Sequence, residues 1–296
     1  MLSLRATIQR TIGELVGVKP GSGRPPAVAL DGDAGLFGPD SACWRVHGDF
    51  TSMMVGGVAA LLLQMLHPRA LAGIWDHSNF REDRFGRLGR TARFIAGTTY
   101  GTTDQALSQI AHVRSIHDQV SGLTADGKPY SANEPALLTW IHVAEVSSFL
   151  AAYLRFRDPA FSAVEQDRYF GETALVAERL GATDVPKTRA AVQTYLRQVQ
   201  PELRFDERTQ EVAEALLARP AGLTPSAAFA PLIFRAAHDL LPDWARAMHG
   251  LRPRDLGEPA VRLGVAGLGG VLRWGHSNGA EARARQRTAG QERAAS

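Results

Sequence analysis

Three stretches of this chain bring together side chains that can bind or polarise a ligand. The first is DQALSQIAHVRSIHDQVSG, opening at Asp104. Ile110, Val113, His117 and Val120 recur there at steps of three and four, so His117 sits on the apolar stripe of a helix. Arg114 shares that side one turn earlier. An imidazole so placed either bonds a carbonyl within the core or aims a ring nitrogen at a metal or cofactor. The second stretch is TWIHVAEVSSFL, where His142 and Glu145 stand three apart beside Trp140 and Ile141. This pair reads either as a buried His–Glu hydrogen bond or as part of a pocket. The third runs LLLQMLHPRALAGIWDHSNFREDRFGRLGRTARFIAGTTYG. His67 precedes Pro68, and Arg87, Arg90 and Thr91 follow at the head of an apolar helical pattern. Arg87 and Arg90 lie one turn apart. In a dry pocket they hold a carboxylate or bound oxygen; on a surface they form a basic face.

Other chemistries are argued against by what is missing. No Glu-x-x-His occurs anywhere, so a di-iron carboxylate bundle lacks its ligand pattern, and the zincin HExxH is absent. Cys43 is the single cysteine, which excludes a disulfide framework, a thiolate zinc cluster and a CxxCH attachment site. A reducing, cytoplasmic setting is the simpler expectation.

These residues must be positioned by helices. Apolar positions recur at helical spacing over 51–67, 85–97, 104–121, 134–155, 161–180, 186–200, 206–218 and 227–249, and strand-like alternation is nearly absent. Thr103-Asp104, Ser131 to Pro135 and Thr224-Pro225-Ser226 carry start signals, and Gly181 is placed to end a helix before Pro186 opens the next. Residues 1–40 read as an N-terminal helix and a Pro/Gly-rich arm, 41–276 as one all-α domain, and 277–296 as a disordered tail. The 296 residues are 45% hydrophobic and 21% charged, with mean hydropathy −0.14, which fits a globular chain and excludes disordered or collagen-like classes. Net charge is +3 and the pI about 9.3, yet no recognition-helix motif or dense basic block precedes the tail, so no nucleic-acid partner is expected. The most apolar run, Val55 to Leu66, is shorter than the ~20 residues of a membrane span. Peripheral contact with a membrane stays open.

LHPRALAG, RxxRT, RSIH and WIHVAEVSSFLAAYLR, in this order, resemble the bacterial oxygenase family of the MpaB-type oxygenases and, more distantly, the latex clearing proteins. The resemblance covers about residues 40–250 and is most specific between Leu61 and Tyr153. It implies an all-α domain of about eight to eleven helices enclosing a b-type haem. It implies further that His117, in Arg114-Ser115-Ile116-His117, is the proximal iron ligand. Arg87-Leu88-Gly89-Arg90-Thr91 matches the distal Arg-x-x-Lys-Thr, with Arg90 in place of the lysine that can take the sixth iron position. Arginine stays protonated and ligates poorly, so Arg90 leaves that position open. Arg87 and Arg114 are expected at the cofactor, His142 as a pocket histidine, and Arg90, Thr91 and His67 as polar contacts to dioxygen. The family's distal glutamate has no match, His67 and Glu82 being the nearest candidates; Arg235 reaches a propionate or packs a helix.

The implied function is a haem b-dependent oxygenase acting with dioxygen on an apolar or isoprenoid-like small molecule. The alternative is a non-catalytic helical haem- or lipid-binding protein. Of the other histidines, His47, His77, His249 and His276 sit near loop-like breaks, His67 precedes a proline, and His112 is about 140° around the helix from His117. The assignment predicts that His117→Ala loses tightly bound haem while His142→Ala keeps at least part of it. Added imidazole should refill the His117→Ala cavity. A wild-type haem spectrum in His117→Ala would make His142 the first alternative.

Overall fold

The computed structural model describes residues 28–81, 84–218, 225–251, 257–275 and 279–295. In chain order its helices are α1 (Ala42–His47), α2 (Phe50–Gln64), α3 (Pro68–His77), α4 (Arg84–Tyr100), α5 (Thr103–His117), α6 (Pro135–Phe156) and α7 (Ala163–Leu180). Then follow α8 (Arg189–Val199), α9 (Glu207–Leu217), α10 (Pro225–Leu240), α11 (Asp243–Met248), α12 (Glu258–Gly275) and α13 (Ala280–Ala295). A short antiparallel hairpin, β1 (Ser121–Leu123) with β2 (Pro129–Ser131), joins α5 to α6.

Helices α2 and α6 are apolar on most sides, so each must be covered from several directions. They pack on one another more extensively than any other pair of elements. Gly56 makes this approach possible. A Cβ there would stand 2.9 Å from the Ser148 carbonyl oxygen and 3.0 Å from the Phe149 Cα. At the far end of α2, Trp140 Nε1 donates to the Gln64 carbonyl at 3.3 Å and Gln64 Nε2 donates to the Ile141 carbonyl at 3.0 Å. At its near end, the buried Asp49 accepts from the Ser52 amide at 2.9 Å and from Arg273 Nη1 of α12 at 2.7 Å. Helices α10 and α12 cover α2, while α7 and α8 cover α6. Helix α6 is long and apolar enough to cross a membrane, but 67% of its apolar window is buried inside the fold.

Helices α4 and α5 form an antiparallel pair, with Gly97 set directly against the Gln109 side chain. The C-terminal end of α4 is tied to α1 and α13. Among the described residues, α4 makes few contacts with α2 or α6.

The eight expected helical runs are present, within a residue or so to three residues at most boundaries. The last is divided at Pro242, which opens α11. The helix expected to reach residue 121 stops at His117, and the following residues pair as the hairpin, with Gly127 at φ +79° in its turn. Thirteen helices are present among the described residues, against about eight to eleven expected: α1, α3, α12 and α13 lie outside the eight runs, and α11 is split from the last of them. The tail expected to be disordered is instead helical over 280–295. It needs no apolar stripe to dock. Ala284 packs on Val28, Trp44 and Tyr100, and the buried Arg287 donates to the carbonyls of Tyr100 at 2.8 Å and Ala29 at 3.1 Å. The expected N-terminal helix falls in residues 1–27, outside the described residues.

The close approach at Gly56 makes a sharp pair of substitutions. Gly56→Ala should cost about 1–3 kcal/mol, as overpacking does. Gly57→Ala meets only the Phe149 ring edge at 3.8 Å and should be neutral, or stabilise by up to about 1 kcal/mol through helix propensity. Urea midpoints of the two variants check this; an equal loss in both would refute it.

Candidate functional site

Helical register decides which side chains face the space between α4 and the α2–α6 pair. Leu88, Ala92, Ile95 and Thr99 share one face of α4, and Leu138, His142, Glu145 and Phe149 share one face of α6. Gly57 looks across at the Phe149 ring, Ile95 packs with the cluster containing Val146 and Phe149, and Leu61 and Leu88 both line a small apolar pocket with Phe80 and Leu216. On these facing surfaces Gly57, Leu61, Leu88, Ala92, Ile95, His142 and Glu145 are all only partly covered. The helices therefore border a partly open flank, a gap with largely apolar walls.

One end of the gap is closed by a neutral polar cluster. His47 Nδ1 lies 2.8 Å from Thr99 Oγ1, and His47 Nε2 lies 3.0 Å from the Tyr169 hydroxyl. Cys43 Sγ is 3.5 Å from the same Nδ1. Burial, with His142 nearby, holds His47 down at about 3, and burial pushes the Cys43 thiol and the Tyr169 hydroxyl far up. Burial likewise holds His142 at about 4 and raises the Glu145 carboxyl to about 7. His142 Nε2 is enclosed without a hydrogen-bond partner. The His142–Glu145 hydrogen bond considered from the sequence does not form.

His117 is the last residue of α5, beside Asn133 and Asp118. Its Nδ1 is enclosed and unpartnered. Burial lowers its proton affinity, with Asn133 and Asp118 acting the other way. The ring is thus neutral near physiological pH, the form a metal binds.

The other expected site residues are dispersed. Arg90 is exposed, because it stands two residues from both Leu88 and Ala92 and so about 200° around the helix from each. That register turns it away from the gap, contrary to the distal placement expected. Thr91 is also exposed. Arg114 is exposed and donates through Nη1 to the Arg179 carbonyl at 3.1 Å. The Arg87 side chain and Glu82 lie outside the described residues. His67 caps α3, its Nδ1 accepting from the Arg69 amide at 3.2 Å. It lines a separate cavity of about 170 Å³ with Arg69, Glu134, Trp140 and Glu202. Trp140 projects about 200° around α6 from His142, so that cavity is on the other side of the helix. Arg235 pairs with Asp239 at 3.2 Å, one turn along α10.

Sequence reading missed His47 and the open setting of Glu145. Neither carries a local motif, and both depend on which helices meet. The residues that do face the gap suit a haem. Its iron takes a single protein imidazole, and its ring needs an apolar slot; His117 offers an enclosed imidazole nitrogen beside Asn133, and Leu61, Leu88 and Ile95 an apolar wall. Among the described residues, no three His, Cys, Asp or Glu side chains converge as a metal site of their own.

Residues 44–274 match the family described as ER-bound oxygenase mpaB/B'/Rubber oxygenase, catalytic domain. No curated protein and no solved structure is similar enough to match.

The neutral interior sets a pH dependence with two limbs. Glu145 binds its proton more tightly folded than unfolded, so its contribution is complete below about 4.5 and is lost as pH rises through about 7. His142 is the reverse: its contribution is complete above 6.5 and is lost as pH falls through about 4. Glu145→Gln should therefore remove a fall in stability of up to about 3 kcal/mol between pH values of roughly 5 and 7.5. Urea unfolding of haem-free protein at both values measures it, and an identical fall in the variant would contradict it.

Proposed function

The chain belongs to the mpaB/rubber oxygenase family through its catalytic domain, and from that premise we propose that it is a haem b-dependent oxygenase. Its substrates are dioxygen and an apolar or isoprenoid-like small molecule. One observation carries the haem reading. An enclosed ring nitrogen without a hydrogen-bond partner belongs to His117, the residue to which the resemblance assigns the iron.

His117 would hold the iron from α5, and Arg87 would meet a propionate. When bound, the haem supplies the activation of dioxygen, which no side chain here can provide. The protein supplies the rest. Burial keeps His117 uncharged, and Asn133 beside the ring helps to fix its orientation. Leu61, Leu88 and Ile95 exclude water and favour an apolar substrate, and the apolar pocket beyond Leu61 and Leu88 extends that surface towards Phe80 and Leu216. His142 lines the site as a neutral imidazole. Arg90, Thr91 and His67 are left out of this scheme because their side chains point elsewhere. A cytoplasmic location without a nucleic-acid partner belongs to the same proposal.

Expression with added haem, followed by oxidised and reduced absorbance spectra, tests the cofactor. A haem stoichiometry near one and oxygen uptake that rises with an apolar isoprenoid are the expected results. Haem without oxygen uptake would make this a binding protein, and no haem in the wild type would overturn the reading.

A further inference from the structure

Glu145 is a carboxyl that the protein does not hold. It lies mid-way along α6 and makes no hydrogen bond or ion pair among the described residues. Its oxygens are not among the fully enclosed atoms without partners, and the residue keeps part of its surface open. They therefore keep open space beside them, on the face of α6 shared with His142. Burying an acid this way is costly unless something bonds it. Tyr169 on α7 feels its charge together with that of Cys43 on α1 and Tyr100 on α4, and His142 on its own helix acts in turn on His47 of α1. All are neutral, so none of them supplies a positive charge to hold a carboxylate.

We propose that Glu145 is the proton donor of the interior gap, hydrogen-bonding an oxygen atom of the bound reactants and passing it a proton during turnover. This rests on the oxygenase reading and assigns a step which that reading leaves open. The carboxyl O–H bond breaks as a new O–H bond forms on the reacting oxygen. The electron pair stays on the carboxylate, and water returns the proton after product leaves. Burial holds the group at about 7, where it gives and regains a proton near neutrality. An apolar wall with one neutral acid can thus serve an oxygen chemistry without stabilising an ion in the resting site.

Infrared spectroscopy of the haem-free and haem-loaded protein, with turnover measured beside it, tests this. The wild type should show the carbonyl stretch of a protonated carboxylic acid near neutral pH, and Glu145→Gln should lack it. At equal haem content Glu145→Gln should lose about 10²- to 10⁴-fold in turnover, the usual worth of a positioned acid, and Glu145→Asp should regain part. A band that persists in Glu145→Gln, or turnover unchanged at equal haem content, would overturn the proposal. A wild type that binds no haem would instead sink the oxygenase reading, and the catalytic step with it. The band in haem-free protein would still report the neutral acid.

Discussion

The missing side chain at Gly56 lets α2 and α6 come together until backbone nearly touches backbone. Everything else in the domain is arranged around that contact. Two apolar helices locked so closely leave little room between them, and the partly covered residues of α4 and α6 lie along their flank. The hydrogen bonds that tie Gln64 to Trp140 and Ile141 hold the other end of the pair in register. Through α6 they also fix which way His142 and Glu145 look. A site that depends on the facing of one helix thereby inherits the rigidity of the tightest contact in the fold.

The interior is polar in places yet carries little charge. His47 and His142 are uncharged at moderate pH, and Glu145 stays mostly uncharged until pH nears about 7, because burial penalises the ionised form. Buried charges elsewhere have partners: Asp49 pairs with Arg273 and Asp239 with Arg246, and Arg287 is held by backbone carbonyls. The segregation follows from desolvation cost. An ion is tolerated where a partner and hydrogen bonds surround it, and neutral hydrogen-bonding groups are kept where a cofactor or substrate would have to displace water. Paired ions brace the helix ends, and neutral groups line the gap.

Helix positions were legible in the sequence because apolar spacing and end signals are local. Gly181 ends α7 at φ +111°, as its place before GATDVP suggested. His117 was legible as an inward residue because its stripe through Ile110 and Val113 is also local. Arg90 was not, since the motif around it says nothing about rotation, and only the stripe Leu88–Ala92–Ile95–Thr99 reveals that it points outward. His67 looked like part of the same stretch as Arg87, but a proline-opened helix turns it into a cap on the far side of α6. The α13 contact was invisible for another reason. It is made by an arginine seeking backbone carbonyls nearly two hundred residues away in one case, and further in the other, with no periodic signal to announce it.

Cys43 gives the molecule a chemical clock. Its thiol is buried beside His47 and Thr99, and burial suppresses the thiolate that reagents attack. It is also the only cysteine in the chain. An alkylating agent can reach it only when α1 lifts from α4 and α7. The rate of modification therefore times the opening of the closed end of the gap, without any engineered label and without interference from a second thiol.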